Sequence, residues 1–283
     1  MSIVAGVLYV VATPIGNLSD ISPRAQDILG AVDLIAAEDT RHSVRLLRHF
    51  RIQTPCQAYH DYNEQSASRA LIERMSRGQS IALISDAGTP LISDPGYRLI
   101  SEAQLSGIKV VPVPGPCAMV AALSASGLPT DRFIFEGFLP AKGQARRRRL
   151  AELAEETSTI VFYESSHRIL ETLSDLVEVL GGERQVCLAR EITKQFETIR
   201  TSPVAEILDW VRIDNNQTRG EFVLCVHGAV AQSDPDSSEA RRVLRHLTAE
   251  LPGSQAVKLA ARITGLPKNR LYALLVEGNG EAT

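Results

Sequence analysis

ISDAGTPLISDPG, residues 84–96, decides how this chain is read. Four apolar residues, 81–84, lead into it, and a helical pattern follows it. The triplet Ile-Ser-Asp occurs twice, at 84–86 and 92–94, with Gly88, Pro90, Pro95 and Gly96 between and after the copies. A short apolar run ending in glycines and prolines reads as a buried strand entering a tight loop. Asp94-Pro95 then reads as a helix start, with Asp94 as the N-cap and Pro95 in the first helical position. The unit is strand, stiff loop, helix.

Working outward, the same unit recurs. Residues 7–12 read as a strand, and Ser22-Pro23 opens a helix after it. Residues 33–37 are a second strand candidate, followed by a helical pattern to about residue 50. Asn63 can cap a helix that stops at Gly78; residues 108–113 and 116–126 add a strand and a small-residue helix. Strands alternating with helices predict a mostly parallel, doubly wound sheet. SGLPTDRFIFEGFLP, 126–140, breaks the rhythm and reads as a joint. Beyond it come a strand at 159–163, a helix at 165–180 ended by Gly181-Gly182, and strands at 185–190, 197–201 and 222–226. Their short connections predict mixed or antiparallel pairing. AQSDPDSSEA, 231–240, is a polar linker, and helical patterns at 254–264 and 268–277 flank Gly265-Leu266-Pro267. That pair is a helix-turn-helix-like unit or a small dimerisation or capping bundle. The expected domains are residues 1–126 and 127–230, both α/β, and residues 231–283, a linker with helices.

The chain has 283 residues, 44% hydrophobic and 22% charged, enough for a sizeable core in two or three domains. Its formal net charge is −3, so any nucleic-acid binding must come from local patches. Cys56, Cys117, Cys187 and Cys225 are scattered, without metal-binding spacing, and no metal is expected. Reduced thiols and the lack of a membrane-length apolar run point to a cytoplasmic protein without a membrane partner. The apolar first residues carry no Lys or Arg before Arg24, so they read as a buried strand rather than a signal peptide.

No GxGxxG, Walker or HExxH motif is present. Four loops at predicted strand ends remain: ATPIGNLSD (12–20), SDAGTPLISDPG (85–96), PVPGPCAMVAAL (112–123) and FYESSHR (162–168). In an open α/β sheet such loops converge at the carboxyl edge, where ligands bind. Each alone is an ordinary tight turn; four together predict a small-molecule pocket.

ATPIGN, AEDTR (37–41), HDYNE (60–64), SDAGTPLISDPG, PGPCAMVAAL, FYESSHR, ARE (189–191) and GEFVL (220–224), in this order, resemble the bacterial 16S ribosomal RNA (cytidine-2′-O)-methyltransferases of the tetrapyrrole methylase superfamily. The resemblance covers nearly the whole chain. It implies two α/β domains of the tetrapyrrole methylase type with a cofactor cleft between them, plus a small C-terminal helical domain. It further implies S-adenosylmethionine as cofactor, a homodimer, and methyl transfer to a cytidine ribose in the decoding region of the small ribosomal subunit. Carried over by position, Ile15, Thr89, Ile92, Cys117, Ala118 and Phe162 would contact the methyl donor. Thr89 stands where relatives often have Asp, so an acid-dependent contact would shift to Asp86 or Asp94; Asp94 is otherwise expected to be structural.

A ribose hydroxyl is a poor nucleophile at neutral pH, so a base or a strongly oriented acceptor is expected. The residues leave Asp39, His60, Glu64, Glu164 and His167 open for that role, although Asp39 equally suits an N-cap and Ser165 or Ser166 a plain cap. RNA contact needs cations. Arg146, Arg147, Arg148 and Arg149 beside the joint read as a phosphate clamp, and Arg41, Arg168, Arg190 and Lys194 lie in the motifs. From Ala240 to Tyr272 seven basic residues, Lys268 and Arg270 among them, face one acid, Glu250. That basic tail separates an RNA enzyme from a methylase of small tetrapyrrole precursors; turnover separates it from an RNA-binding cofactor sensor.

Overall fold

Short apolar runs in the first half become five parallel strands, of which the three central ones are buried on both faces and the two at the edges only in part. These are β1 (Val7–Val11), β2 (Leu34–Ala37), β3 (Cys56–Ala58), β4 (Ile81–Ile84) and β5 (Lys109–Val113), in the order β3-β2-β4-β1-β5. The computed structural model describes residues 4–60, 62–230 and 235–280. Helices α1 (Pro23–Ala31) and α2 (Thr40–His49) cover one face of this sheet, and α3 (Glu64–Ser76) and α4 (Tyr97–Leu105) the other. Ser22 caps α1 as its sequence predicts, its hydroxyl accepting from the Ala25 amide at 3.1 Å with Pro23 in the first turn.

The chain leaves β5 into α5 (Ala118–Ala125), which crosses to a second sheet. Ala122 and Leu123 pack there against Val161, Cys187, Ala189, Val223 and Cys225. The second sheet runs β6-β7-β10-β8-β9, built from β6 (Phe133–Phe138), β7 (Thr159–Ser165), β8 (Gln185–Arg190), β9 (Thr198–Pro203) and β10 (Glu221–Val226). Only β6 and β7 pair in parallel; the others are antiparallel, the mixed pairing expected of short connections. Its far face is covered by α6 (Gly143–Glu152), α7 (Ile169–Leu180) and α8 (Val204–Ile213) over Ile160, Phe162, Val186, Leu188 and Leu224. Fully burying side chains of this size contributes about 1.5–3 kcal/mol each.

Contacts divide the chain into residues 1–228 and residues 229–283. The second unit holds α9 (Pro235–Glu250), α10 (Gly253–Thr264) and α11 (Lys268–Gly280) around Leu244, Val257, Ala260, Leu271 and Leu274. Gly265, left-handed at φ 74°, ends α10, and α11 follows Pro267, the turn chemistry legible in the sequence.

Several expectations need correction. The joint at 126–140 contains strand β6, and the linker at 231–240 is helical from Pro235; residues 231–234 lie outside the described residues. Asp94-Pro95 does not open α4: the helix starts at Tyr97 with Gly96 as its N-cap. Neither Ser165 nor Ser166 caps α7; β7 runs to Ser165, and Arg168 precedes the helix.

Of the four arginines expected to clamp phosphate, one is buried and all four are ion-paired. Arg146 is 2% exposed, with its guanidinium on Asp175 at 2.5 Å and Glu171 at 3.0 Å. Arg147 holds Asp175 and Glu178, and Arg149 holds Glu136 and Glu152. Arg148 remains exposed, against Glu152. Arg190, 7% exposed, donates from its two terminal nitrogens to the carbonyls of Asn216, Arg219 and Phe196. These cations brace the second sheet and its helices. Arg146→Ala strands Asp175 against α6 and should cost about 3 kcal/mol of stability, the low end for a broken buried pair because Arg147 still reaches Asp175. Arg148→Ala should leave the melting temperature nearly unchanged; thermal denaturation of the two variants checks the contrast.

Candidate active site

The loops after β1, β4 and β5 are stitched together by main-chain bonds. The Thr13 amide donates to the Gly88 carbonyl at 2.8 Å, and the Gly88 amide returns the bond at 3.1 Å. Gly88 adopts φ 90°, a conformation that glycine reaches without strain. The Thr13 hydroxyl donates to the Ser85 carbonyl at 3.2 Å, and the Thr89 hydroxyl to the Pro116 carbonyl at 3.0 Å. The three loops thus form one wall of a cavity of about 330 Å³ at the carboxyl edge of the first sheet.

On that wall stand Ile15, Gly88, Thr89, Ile92, Asp94, Cys117 and Ala118; the second sheet supplies Tyr163, Glu164, Ser165 and Val223. Five of the six residues expected near the donor, Ile15, Thr89, Ile92, Cys117 and Ala118, therefore share one cavity. Phe162 does not. Side chains alternate along β7, so Ile160 and Phe162 enter the helix-covered core while Val161 and Tyr163 face the cavity side. Tyr163 is the aromatic wall that the sequence placed one residue early. Its hydroxyl accepts from the Met119 amide at 3.2 Å, and its ring meets Phe135 and Phe138 edge-on at 4.9 and 5.8 Å. Burial, with Cys117 beside it, pushes its hydroxyl above the ordinary tyrosine range, so it stays neutral.

The expected bases fare unequally. Asp39 caps α2 and grips Arg41, whose hydrogen bonds hold its carboxyl down at about 2; it does not line the cavity. His60 lies off the cavity, its Nδ1 buried without a hydrogen-bond partner among the described residues. Glu64 accepts from the Tyr59 hydroxyl and the Arg98 amide, and His167 is exposed. Glu164 reaches the cavity wall, yet its carboxylate is occupied by the Thr172 hydroxyl at 2.7 Å, the Ser165 amide at 2.7 Å and Arg168 at 2.8 Å. Arg168 is thereby tied down, as is Lys194, which bridges Glu191 at 2.8 Å and Glu221 at 2.6 Å. The Lys194 stem passes close over the first loop: a Cβ at Gly16 would sit 2.4 Å from its Cγ.

Asp94, read as a helix cap, is instead on the cavity wall, with Oδ2 buried and unpartnered among the described residues. Burial lifts its carboxyl to about 6; nearby Glu38 and Asp86 add to the rise, and Ser85 opposes it. A small apolar and aromatic chamber with an unneutralised carboxylate fits a cationic, adenosine-bearing donor such as S-adenosylmethionine. Ile15, Thr89, Ile92, Ala118 and Tyr163 would hold it. Among the described residues no His, Cys, Asp and Glu cluster could hold a metal ion, and no helix is long and apolar enough to cross a membrane.

Residues 7–208 match the family described as Tetrapyrrole (Corrin/Porphyrin) Methylases. The chain belongs to the tetrapyrrole methylase family. Residues 234–278 match a second description, the RsmI C-terminal HTH domain. Among relatives of this tetrapyrrole methylase, "Ribosomal RNA small subunit methyltransferase I" of Pseudomonas aeruginosa is 58% identical over 98% of this chain and 99% of its own. The proteins of that name from Vibrio cholerae and Escherichia coli O157:H7 are 56% and 54% identical, over 98% and 97% of this chain and 96% of their own lengths. Two solved structures share the tetrapyrrole methylase fold at low identity. The methyltransferase CobJ has a TM-score of 0.60 at 18% identity over 80% of this chain and 95% of its own. Uroporphyrin-III-C-methyltransferase from Thermus thermophilus has 0.55 at 17%, over 80% and 96%.

The lifted Asp94 carboxyl makes a pH prediction. A folded-state value above the ordinary 3.8 means that the folded protein holds this proton more tightly than the unfolded chain. The stability it confers is complete below about pH 4 and is lost as pH rises through about 6. Asp94→Asn should therefore melt higher than the wild type at neutral pH, and the gap should close toward pH 4; melting curves across that range check it.

Proposed function

We propose that the chain is an S-adenosylmethionine-dependent methyltransferase that 2′-O-methylates the ribose of a cytidine in the decoding region of 16S ribosomal RNA, working as a homodimer. The observation that carries the reading is identity of 54–58% over nearly the whole length to proteins named for methylating small-subunit ribosomal RNA. The helical C-terminal unit supports an RNA substrate: its match to an HTH domain coincides with the basic run around Lys268 and Arg270. Arg41 and Arg148, both exposed, are further phosphate contacts on this reading.

When bound, S-adenosylmethionine supplies a methyl group already activated by its positively charged sulfur. The chain's own work is placement and proton handling. Tyr163 offers a flat apolar surface for a purine ring, and the Thr13–Gly88 pairing keeps the opposite wall from yielding.

Methyl-labelled S-adenosylmethionine should label small ribosomal subunits or their RNA, and the RNA should gain one linkage that resists alkali. A 2′-O-methyl group removes the nucleophile of alkaline cleavage, so the resistant position reports ribose rather than base methylation. Label on tetrapyrrole precursors, or label on RNA without alkali resistance, would overturn the assignment.

A further inference from the structure

We propose that Asp94 is the catalytic residue that accepts the proton of the hydroxyl being methylated. The proposal rests on the function proposed above and adds the acceptor that the sequence left open.

Among the described residues, three carboxylates line the cavity: Asp94, Glu164 and Glu221. Glu164 is sealed, its oxygens committed to Thr172, Ser165 and Arg168. Glu221 lies exposed at the rim with Lys194 on it. Asp94 alone of the three has a buried oxygen that finds no hydrogen-bond partner among those residues. A polar atom left this way is costly, and such atoms call for an explanation in function.

The backbone around it supports the same reading. Leu91 and Ser93 take φ 75° and 69°, left-handed values that residues with a side chain rarely adopt. Had Asp94 capped α4, its carboxyl would have turned to the first amides of the helix. The helix instead starts at Tyr97, after Gly96, and Asp94 stays among the residues that line the cavity.

The surroundings tune it. Glu38 and Asp86 press on Asp94 from the first sheet's loops, Ser85 opposes them by a hydrogen bond, and Tyr163, held neutral by burial, stands on the cavity wall. With the carboxyl lifted to about 6, the base is stronger than an ordinary aspartate yet still ionised at neutral pH. In the transfer the hydroxyl oxygen bonds to the methyl carbon, and the carbon–sulfur bond breaks with its electron pair left on sulfur. The hydroxyl proton, acidified as the new bond forms, passes to the Asp94 carboxylate and later to water.

The test compares wild type, Asp94→Asn and Asp94→Glu in two measurements. One is calorimetric binding of S-adenosylhomocysteine; the other is single-turnover methylation of small ribosomal subunits as a function of pH. Asp94→Asn should bind S-adenosylhomocysteine within about threefold of wild type while methylating at least about 100-fold more slowly, the scale of a lost general base. The wild-type rate should climb with pH and level off above about 6, Asp94→Asn should lose that climb, and Asp94→Glu should recover part of the rate. A rate for Asp94→Asn near wild type would overturn the proposal. So would a loss explained entirely by weaker S-adenosylhomocysteine binding, which would make Asp94 a donor anchor. An inactive wild type would overturn the functional reading and this role together, whereas active wild type with active Asp94→Asn overturns this role alone.

Discussion

Two main-chain hydrogen bonds between Thr13 and Gly88 hold the site together. They join the loop after β1 to the loop after β4, two strands that are neighbours in the sheet, and the Thr13 hydroxyl adds a third bond to the Ser85 carbonyl. The Thr89 hydroxyl extends the stitch to Pro116, so the loop after β5 is included. Each such bond contributes only about 1 kcal/mol net, yet losing a partner in a buried setting costs about 1–3 kcal/mol. The loops therefore keep one arrangement, and the cavity wall exists before any ligand arrives. Preorganisation of this kind spares the entropy that floppy loops would lose on binding.

The opposite wall depends on the route of the chain. Helix α5 begins at the cavity and packs its small, apolar face on the second sheet, so the helix that ends one wall also anchors the other. Tyr163, Glu164 and Ser165 at the end of β7 then face Ile15 and Thr89 across the chamber. Lys194, braced by Glu191 and Glu221 and lying against Gly16, ties the rim of one half to the first loop of the other. The carboxylates of the chamber are Asp94, Glu164 and Glu221, and among the described residues Asp94 alone of the three has no ion pair.

Much of this was legible because the signals were local. Short apolar runs followed by loops and helical patterns revealed four of the five strands of the first sheet and the edge where their loops converge. The failures have specific causes. Strand β3 has only three residues, too few for any periodicity. β6 lies among Pro and Gly residues that read as a joint, and Gly137 marks a bulge within it. In β7 both faces are buried, so alternation of polarity could not tell Phe162 from Tyr163. Asp94-Pro95 is a good helix start locally, but Gly96 at φ 136° moves the cap two residues on. For Arg146 the signal was present and unread: Leu150 and Leu153 follow at four and seven residues, placing the arginine on the buried side of α6.

The account's central claim is that this one cavity receives the methyl donor. A crystal structure with S-adenosylhomocysteine tests it most directly. The account predicts the ligand between the stitched loops and β7, its adenine against Tyr163 and Ala118, with Asp94 on the side of the sulfur that the methyl group would occupy. Ligand bound elsewhere, or a cavity in which Thr13 and Gly88 must separate to admit it, would contradict the claim.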